Sequence, residues 1–217
     1  ETGLPNSAHF MAVAGAFDYA NAAVIRVPKD AVEGNSIEDH SRYIVDNLAS
    51  LVALRCGTLV LFSSRRQMEG VFDELSNDLQ KQILIQGQYS NREMIRLHKE
   101  RIDQGKTSVL LGLASFAEGV DLPGDYCRHV VIAKLPFAVP DEPLQEALAE
   151  WIEDRGGNSF FDISLPVASL RLIQACGRLL RTESDSGTVT ILDKRLITKR
   201  YGAQLLNALP PFRREIG

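Results

Sequence analysis

The sequence predicts an α/β fold in which a mostly parallel β-sheet lies between helices. Short strand candidates and amphipathic helix candidates alternate along the chain, which is typical of this class. The strand candidates are continuous apolar runs, such as the segment 58–62. A strand that is buried on both faces needs apolar side chains at every position, so these runs indicate a sheet covered on both sides.

The elements can be placed in order along the chain. A first helix is expected over 36–54, because Ser36 and Asp39 form an approximate capping box ahead of an apolar face that includes Ile44. Asn91 is expected to cap a later helix. The remaining predicted helices lie around 68–79, 91–102 and 167–181, and the predicted strands are 58–62, 83–85, 108–111, 129–133 and 188–192.

The segment 135–165 breaks the alternation. It contains three prolines, then a helix expected over 142–154, then the pair Gly156-Gly157. Because proline and glycine punctuate regular structure, we interpret this segment as an insertion on the rim of the domain.

Composition excludes several classes of protein. The 217 residues carry a net charge of -4, and 45% of them are hydrophobic, as in an ordinary globular domain. We expect no membrane span, because no run of 18 apolar residues occurs. The three cysteines (Cys56, Cys127 and Cys176) are far apart, which argues against both a disulfide framework and a metal site. The first methionine is Met11, so we expect a fragment of a longer protein.

The triplet Gly105-Lys106-Thr107 superficially resembles the end of a phosphate-binding P-loop. The P-loop pattern requires a glycine where this chain has Glu100, and it requires a strand before the loop and a helix after it. Here a strand follows the triplet. We therefore expect Gly105 to end the preceding helix instead.

The segment 115–124 directly follows a predicted strand, at the edge where parallel sheets bind their ligands. Gly119 would allow a positive φ or a close backbone approach. The carboxylates Glu118 and Asp121 lie on either side of it. The same pattern also fits an acidic turn in which Asp121 caps local backbone, and spacing alone does not separate the two interpretations.

The segment 174–181 places Gln174, Arg178 and Arg181 at positions i, i+4 and i+7, which share one face if the helix continues through them. Two arginines and an amide on one face form an array of donors for phosphate. Leu170 is expected on the buried face. Gly177 weakens a helix, so it indicates close approach by another backbone or by a ligand.

Five segments together resemble DinG/YoaA-type (XPD-like) superfamily 2 DNA helicases. QACGRLLR at 174–181 is similar to helicase motif VI, SFAEGVDLPG at 115–124 to motif V of that branch, and LFSS at 61–64 to motif IV. GAFDY at 15–19 resembles the SPFDY stretch between the two motor halves, although Gly15 and Ala16 depart from it. DKR at 193–195 fits the DxR that follows the next strand.

The resemblance implies a RecA-like three-layer domain, the second of the two motor domains. Residues 1–20 would connect it to the first motor half, and residues 21–217 would form the domain itself. ATP would bind between the two halves. Arg178 and Arg181 resemble arginine fingers for the γ-phosphate, and Gln174 resembles the residue oriented around that phosphate or its water. Gly177 belongs to the same nucleotide-binding motif.

The resemblance also assigns the DNA side. Glu118, Gly119 and Asp121 resemble the element that links nucleotide state to the grip on DNA. Side chains that would contact phosphates of single-stranded DNA without reading its sequence are Ser63, Ser64 and Ser115.

The missing first half, the N-terminal RecA-like domain of the same protein, would hold most of the contacts to ATP and Mg²⁺. In this branch it usually carries an iron–sulfur cluster as well, and nothing in this chain matches those parts. We therefore expect no metal site here, no ATPase activity from this chain alone, and a bacterial cytoplasmic protein.

Two other functions remain open at this point. An unrelated α/β nucleotide-dependent transferase would need a complete catalytic set, and the four histidines form no pair in the sequence. A protein-interaction module could instead use the segment 135–165 to dock a partner.

Overall fold

The computed structural model describes residues 17–52, 55–137 and 143–217. Within these residues, seven strands form one sheet in which every pairing is parallel, in the order β3-β4-β2-β5-β6-β1-β7. The strands are β1 (Ala23–Val27), β2 (Gly57–Phe62), β3 (Ile83–Ile85), β4 (Ser108–Leu113), β5 (His129–Ile132), β6 (Gly187–Ile191) and β7 (Arg213–Ile216).

Helices connect and flank these strands, which agrees with the RecA-like α/β prediction. The α-helices are α1 (Tyr19–Ala22), α2 (Ile37–Leu51), α3 (Arg65–Glu74), α4 (Asn77–Gln80), α5 (Asn91–Asp103), α6 (Ala114–Glu118), α7 (Pro143–Glu153), α8 (Leu165–Cys176), α9 (Arg195–Thr198) and α10 (Arg200–Ala208). A short 3-10 helix covers Gly124–Tyr126, and a π-helical turn covers Phe160–Ser164.

The five predicted strands are confirmed, and the sequence prediction missed β1 and β7. All side chains of β2 and β5 are buried, as expected of central strands in such a sheet. By contrast, β1 is interrupted by the exposed Arg26, and every residue of β7 is exposed. Arg26 donates to Glu215 of β7 at 2.7 Å, so these strands are joined partly by charges that no apolar pattern reveals.

The helix starts are mostly as predicted. The Ser36 hydroxyl accepts a hydrogen bond from the Asp39 amide at 3.3 Å and caps α2. Asn91 is not the cap of α5, because Ser90 takes that position and accepts from the Glu93 amide. Gly105 has a φ of +70° and follows the C-cap residue Gln104 of α5, which confirms that this glycine ends the preceding helix.

The prediction for the last long helix was partly wrong. Helix α8 ends at Cys176, with Gly177 as its C-cap, and does not continue to 181. Arg178 and Arg181 therefore do not share a helical face with Gln174. Leu170 is 57% exposed and does not face the core.

Helix α7 lies close to the bounds expected for the helix at 142–154, while residues 138–142 of this segment lie outside the described residues. Farther along the segment, Phe160 contacts Phe137 and Tyr201 with ring centroids 5.4 and 5.2 Å apart. The interpretation of 135–165 as an insertion stays a prediction. Among the described residues, no helix combines the length and the apolar character that crossing a bilayer requires.

Candidate functional site

Two arginines that follow α8 converge on one backbone carbonyl. Arg178 donates from Nη1 and Arg181 from Nη2 to the carbonyl oxygen of Val120, each at 3.0 Å. Arg181 also lies 3.4 Å from the carboxylate of Asp121, measured from its Nε atom. The structure thus brings the two arginine positions into direct contact with the segment 115–124. A turn after the helix, rather than one helical face, makes this possible.

Asp185 fixes the geometry of that turn, and the sequence analysis did not single it out. Its carboxylate accepts hydrogen bonds from the backbone amides of Arg181 at 2.7 Å, Thr182 at 2.8 Å and Gly124 at 3.0 Å. It also accepts from the Thr182 hydroxyl. Burial acts to raise the pKa of Asp185, but these hydrogen bonds outweigh it, and the pKa is lowered. A charged Asp185 therefore ties the arginine turn to the end of the segment 115–124.

The arginine pair keeps unused donor capacity. Nε of Arg178 is buried and has no hydrogen-bond partner among the described residues. Burial, followed by the nearby charge of Arg181, lowers the pKa of Arg178. A buried donor without an acceptor costs roughly 1–3 kcal/mol, so this placement of the Arg178 guanidinium is less favourable than one in which Nε has a partner.

Gln174 lies beside the arginines although it belongs to α8. Gln174, Glu118 and Arg178 line one small pocket together with Arg171. Gln174 is exposed, and its amide makes no hydrogen bond to the part of the chain that the structure describes. The pocket therefore combines one carboxylate, one free amide and two guanidinium groups.

The two glycines of these motifs are open rather than crowded. Gly119 has a φ of -96°, so of the two alternatives the positive φ does not apply, and an added Cβ would meet nothing within 4 Å. At Gly177 a Cβ would come no closer than 3.4 Å to the nearest atom, the carbonyl oxygen of Ile173. Nothing described within the chain requires glycine at either position. The expected close approach is therefore not made by the described residues of this chain.

The three serines expected to contact DNA lie at the carboxyl ends of two adjacent strands. Ser63 and Ser64 follow β2, Ser115 follows β4, and all three are exposed. The Ser64 hydroxyl accepts from the Gln67 amide at 3.4 Å and caps α3, which leaves its own proton free to donate. Ser115 and Val120 are joined by a single helical turn, α6. One short segment therefore connects the serine edge to the carbonyl that both arginines hold.

The residues Asp193 and Arg195 form a second, closed centre. Arg195 donates from Nε and Nη2 to the Asp193 carboxylate, the shortest distance being 2.6 Å, and Asp193 also accepts from the amides of Gly34 and Leu135. Burial acts to raise the pKa of Asp193, but the hydrogen bonds and charge of Arg195 lower it. The acceptor is fully used within the domain, so this centre is structural.

The cysteines do not fit a metal cluster. Cys127 and Cys176 are buried, and burial raises the pKa of each thiol to about 12. Burial also raises the pKa of Cys56. Among the described residues, no group of three or more His, Cys, Asp or Glu side chains could hold a metal ion. An iron–sulfur cluster has no ligand set in this part of the chain.

Comparison with known proteins adds to this geometry. The family described as "Helicase C-terminal domain" matches residues 48–212. The chain is 44% identical over 214 residues to the ATP-dependent DNA helicase DinG of Photobacterium profundum, covering 97% of this chain and 31% of that protein. It is 39% identical over 208 residues to the DinG of Escherichia coli (strain K12), covering 94% of this chain and 29% of that protein.

Solved structures share the fold. An XPD helicase superposes with a TM-score of 0.67 at 20% identity, covering 90% of this chain and 36% of that one. The S. tokodaii Xpd4 structure gives a TM-score of 0.60 at 17% identity, covering 89% of this chain and 38% of that one. The chain spans about a third of the length of the curated relatives it matches. It is similar to the DinG helicases over nearly its whole length, and it belongs to the helicase C-terminal domain family.

Proposed function

We propose that this chain is the C-terminal motor half of an ATP-dependent DNA helicase. In this role Arg178 and Arg181 act as arginine fingers on ATP that the other motor half binds. The serine edge holds phosphates of single-stranded DNA. Family membership and the DinG relatives support the helicase role, and they make the unrelated transferase unnecessary. The observation that most favours the finger role is the convergence of both guanidinium groups on one neutral acceptor, the carbonyl oxygen of Val120.

The contacts of the arginines suggest how they would act. Both guanidinium groups now donate to the Val120 carbonyl, and Arg181 also faces Asp121. Phosphate oxygens are stronger acceptors for guanidinium than a neutral carbonyl is. With ATP bound at the domain interface, the arginines would turn from Val120 to the γ-phosphate. There they would stabilise charge that develops as the terminal phosphoryl group leaves.

The same exchange would couple ATP to DNA. Releasing the Val120 carbonyl removes two hydrogen bonds from a segment that continues through α6 to Ser115. Glu118, Gly119 and Asp121 lie on that segment and would shift with it. A change at the arginines would thus alter the position of a hydroxyl that contacts DNA phosphate. Gln174, free in the neighbouring pocket, would orient around the γ-phosphate or its attacking water.

The partners follow from this role. The N-terminal RecA-like domain of the same protein would bind ATP and Mg²⁺, and any iron–sulfur cluster would also belong there. This chain alone would then be inactive as an ATPase. The arginine pair fits the terminal phosphate of ATP, because guanidinium groups bind phosphate oxygens through charge-assisted hydrogen bonds. Work on DNA in a bacterium would place the protein in the cytoplasm.

A role as a protein-interaction module would add to this function rather than replace it. Helix α7 exposes Leu148 by 45% and Trp151 by 53%, and the Arg155 guanidinium lies 4.0 Å from the Trp151 ring centroid. These side chains lie in the segment 135–165, and none of them lines the pocket beside the arginines.

The finger role is tested by ATP turnover of the full-length protein with single-stranded DNA present. Arg178→Ala and Arg181→Ala should each lower turnover by about 10³-fold or more, with ATP affinity almost unchanged. Arg42→Ala is a matched control, since Arg42 is an exposed arginine of α2. Loss of ATP affinity with normal turnover of the bound nucleotide would contradict the finger role.

A further inference from the structure

Three adjacent strands end at the same level of the sheet. Leu61 of β2 is in register with Gly112 of β4 on one side and with Ile132 of β5 on the other. The amide of Ala133 donates to the Leu61 carbonyl at 2.9 Å, so the β2–β5 pairing continues one residue further. Lys134 is the next residue. It therefore follows Ile132 by two positions, as Ser63 follows Leu61.

This register puts Lys134 in a row with the proposed DNA contacts. Ser63 and Lys134 follow β2 and β5 at equivalent positions, and Ser115 lies in α6, directly after β4; these three strands are consecutive in the sheet. Neighbouring strands lie about 4.8 Å apart, so the three strand ends span roughly 10 Å. A short stretch of one DNA strand could touch all three strand ends.

The charge of Lys134 is not neutralised locally. Its ammonium group makes no hydrogen bond or ion pair with the described residues, whereas the nearby Asp193 is already paired with Arg195. Burial, and then the charge of Arg195, lower the pKa of Lys134, and Asp193 only partly offsets this. Glu33, close to the same edge, pairs with Lys199 at 3.0 Å. His40 also faces this group, and burial lowers its pKa. Among these described side chains, three cations (Lys134, Arg195 and Lys199) face two carboxylates (Asp193 and Glu33), so one positive charge is in excess.

The position of Lys134 is held by packing. Its Cε would lie 3.0 Å from a Cβ added to Gly34, in the loop between β1 and α2. Asp193 would lie 3.0 Å and Arg195 3.2 Å from the same point. The stem of the lysine therefore lies against the loop and the closed centre. An ordered cation at a strand end, with no acid of its own, favours an anionic ligand.

We propose that Lys134 binds a phosphate of single-stranded DNA, and that the strand path runs across the carboxyl ends of β4, β2 and β5. This inference rests on the proposed function, because it extends the serine edge by one strand. The serines are uncharged and hold phosphate by hydrogen bonds only, whereas Lys134 would add an electrostatic contact. Neutralising one phosphate on a single strand changes the slope of log K against log salt by about 0.7.

The test is fluorescence anisotropy of the full-length protein with a labelled homopolymeric single strand, over a series of salt concentrations. Lys134→Met should make the slope of log K against log salt shallower by about 0.7. Over the tenfold change from 1 M to 0.1 M salt, this exponent corresponds to binding that is about fivefold weaker at 0.1 M. Lys134→Arg should restore the slope. The slope does not depend on the active fraction of a preparation, so partial unfolding does not imitate this result.

The matched control removes the same charge at the opposite edge of the sheet. Lys106 is exposed, precedes β4 and donates to Gln104, so Lys106→Met should leave both slope and affinity unchanged. Ser63→Ala and Ser115→Ala should lower affinity and keep the slope. If these serine variants weaken binding and Lys134→Met behaves like Lys106→Met, the extension over β5 is wrong and the proposed function stands. If the serine variants also have no effect, the DNA edge itself is wrong.

Discussion

The domain has two arginine centres whose chemistry is similar and whose surroundings differ. In the closed centre, the Arg195 side chain is 14% exposed and donates to Asp193, which is 0% exposed. We call the group formed by Arg178, Arg181 and Asp121 the open centre. There, the Arg181 side chain is 30% exposed and its acidic partner Asp121 is 77% exposed. In the closed centre, Arg195 and Asp193 use each other's hydrogen-bonding groups. In the open centre, Arg178 and Arg181 donate to the neutral carbonyl of Val120, and Nε of Arg178 is buried without a partner among the described residues. Saturation of donors, rather than the presence of arginine, separates a structural centre from a candidate ligand site.

The glycines follow the same division. Gly187 begins β6, and a Cβ there would lie 2.2 Å from the carbonyl oxygen of Arg128, so the domain itself requires glycine at that position. Gly119 and Gly177, beside the open centre, have free space around them. Their lack of a side chain has no explanation among the described contacts, and a partner that approaches from outside would supply one.

The largest stability effect should come from breaking the closed centre. Arg195→Ala leaves the Asp193 carboxylate buried with only backbone donors, and we expect a loss of about 3–5 kcal/mol in the free energy of unfolding. Arg181→Ala should cost less than about 1 kcal/mol, because its partner is exposed. Denaturant unfolding of both variants measures the difference. Equal losses would mean that the open and closed centres are not distinct.

As the pH falls, protonation of buried histidines should lower the free energy of unfolding before the carboxylates become protonated. Burial lowers the pKa of His98 from 6.5 to about 4, and its ring nitrogens lie within hydrogen-bonding distance of Ser108 and the Tyr126 carbonyl. The folded state therefore favours neutral His98, and this stability is complete above pH 6.5. It is lost as the pH falls from 6.5 toward 4, by roughly 3 kcal/mol for this residue. His129 acts in the same direction, since burial also lowers its pKa to about 4.

Asp193 contributes in a lower window. Its pKa is lowered, so its stabilisation is present above its unfolded value near 3.8 and is lost as the pH falls through the folded value.

The histidine effect is measured by the free energy of unfolding as a function of pH. It should give a decline that starts near pH 6.5 and becomes shallower in His98→Gln. A constant stability between pH 7 and pH 5 would show that these histidines are not kept neutral by burial.

The smallest stability effect is expected at Gly177. Its φ of -65° suits alanine, and the nearest contacts of the new Cβ are ordinary, so Gly177→Ala should raise stability by about 0.4–1 kcal/mol. ATP turnover of the full-length protein should nevertheless fall, because the methyl group would occupy space that the partner needs. Gly187→Ala, as the opposite case, should destabilise the domain. Normal turnover of Gly177→Ala would remove the proposed reason for that glycine.

The sequence best predicts the strands that are buried on both faces of the sheet. Runs of apolar and β-branched residues predicted β2 to β6, while β1 and β7 were missed because they carry charged residues, such as Arg26 and Glu215, which join them. The site residues were grouped through the motif resemblance, but their geometry was not predictable. The carboxylate of Asp185 fixes the turn after Cys176 by accepting hydrogen bonds from the amides of Thr182, which is nearby in the sequence, and Gly124, which is distant. Helical periodicity contains no information about such a contact. Lys134 was missed for a similar reason, since strand order determines its neighbours.

The finger role itself is tested most directly by the affinity for a transition-state analogue. The full-length protein would be titrated with ADP, Mg²⁺ and aluminium fluoride, and separately with a non-hydrolysable ATP analogue. Arg181→Ala should weaken binding of the transition-state analogue by about a hundredfold or more and change binding of the ATP analogue by less than about threefold. If both affinities fall together, or if neither changes, Arg181 does not stabilise the transition state and the open centre has another purpose.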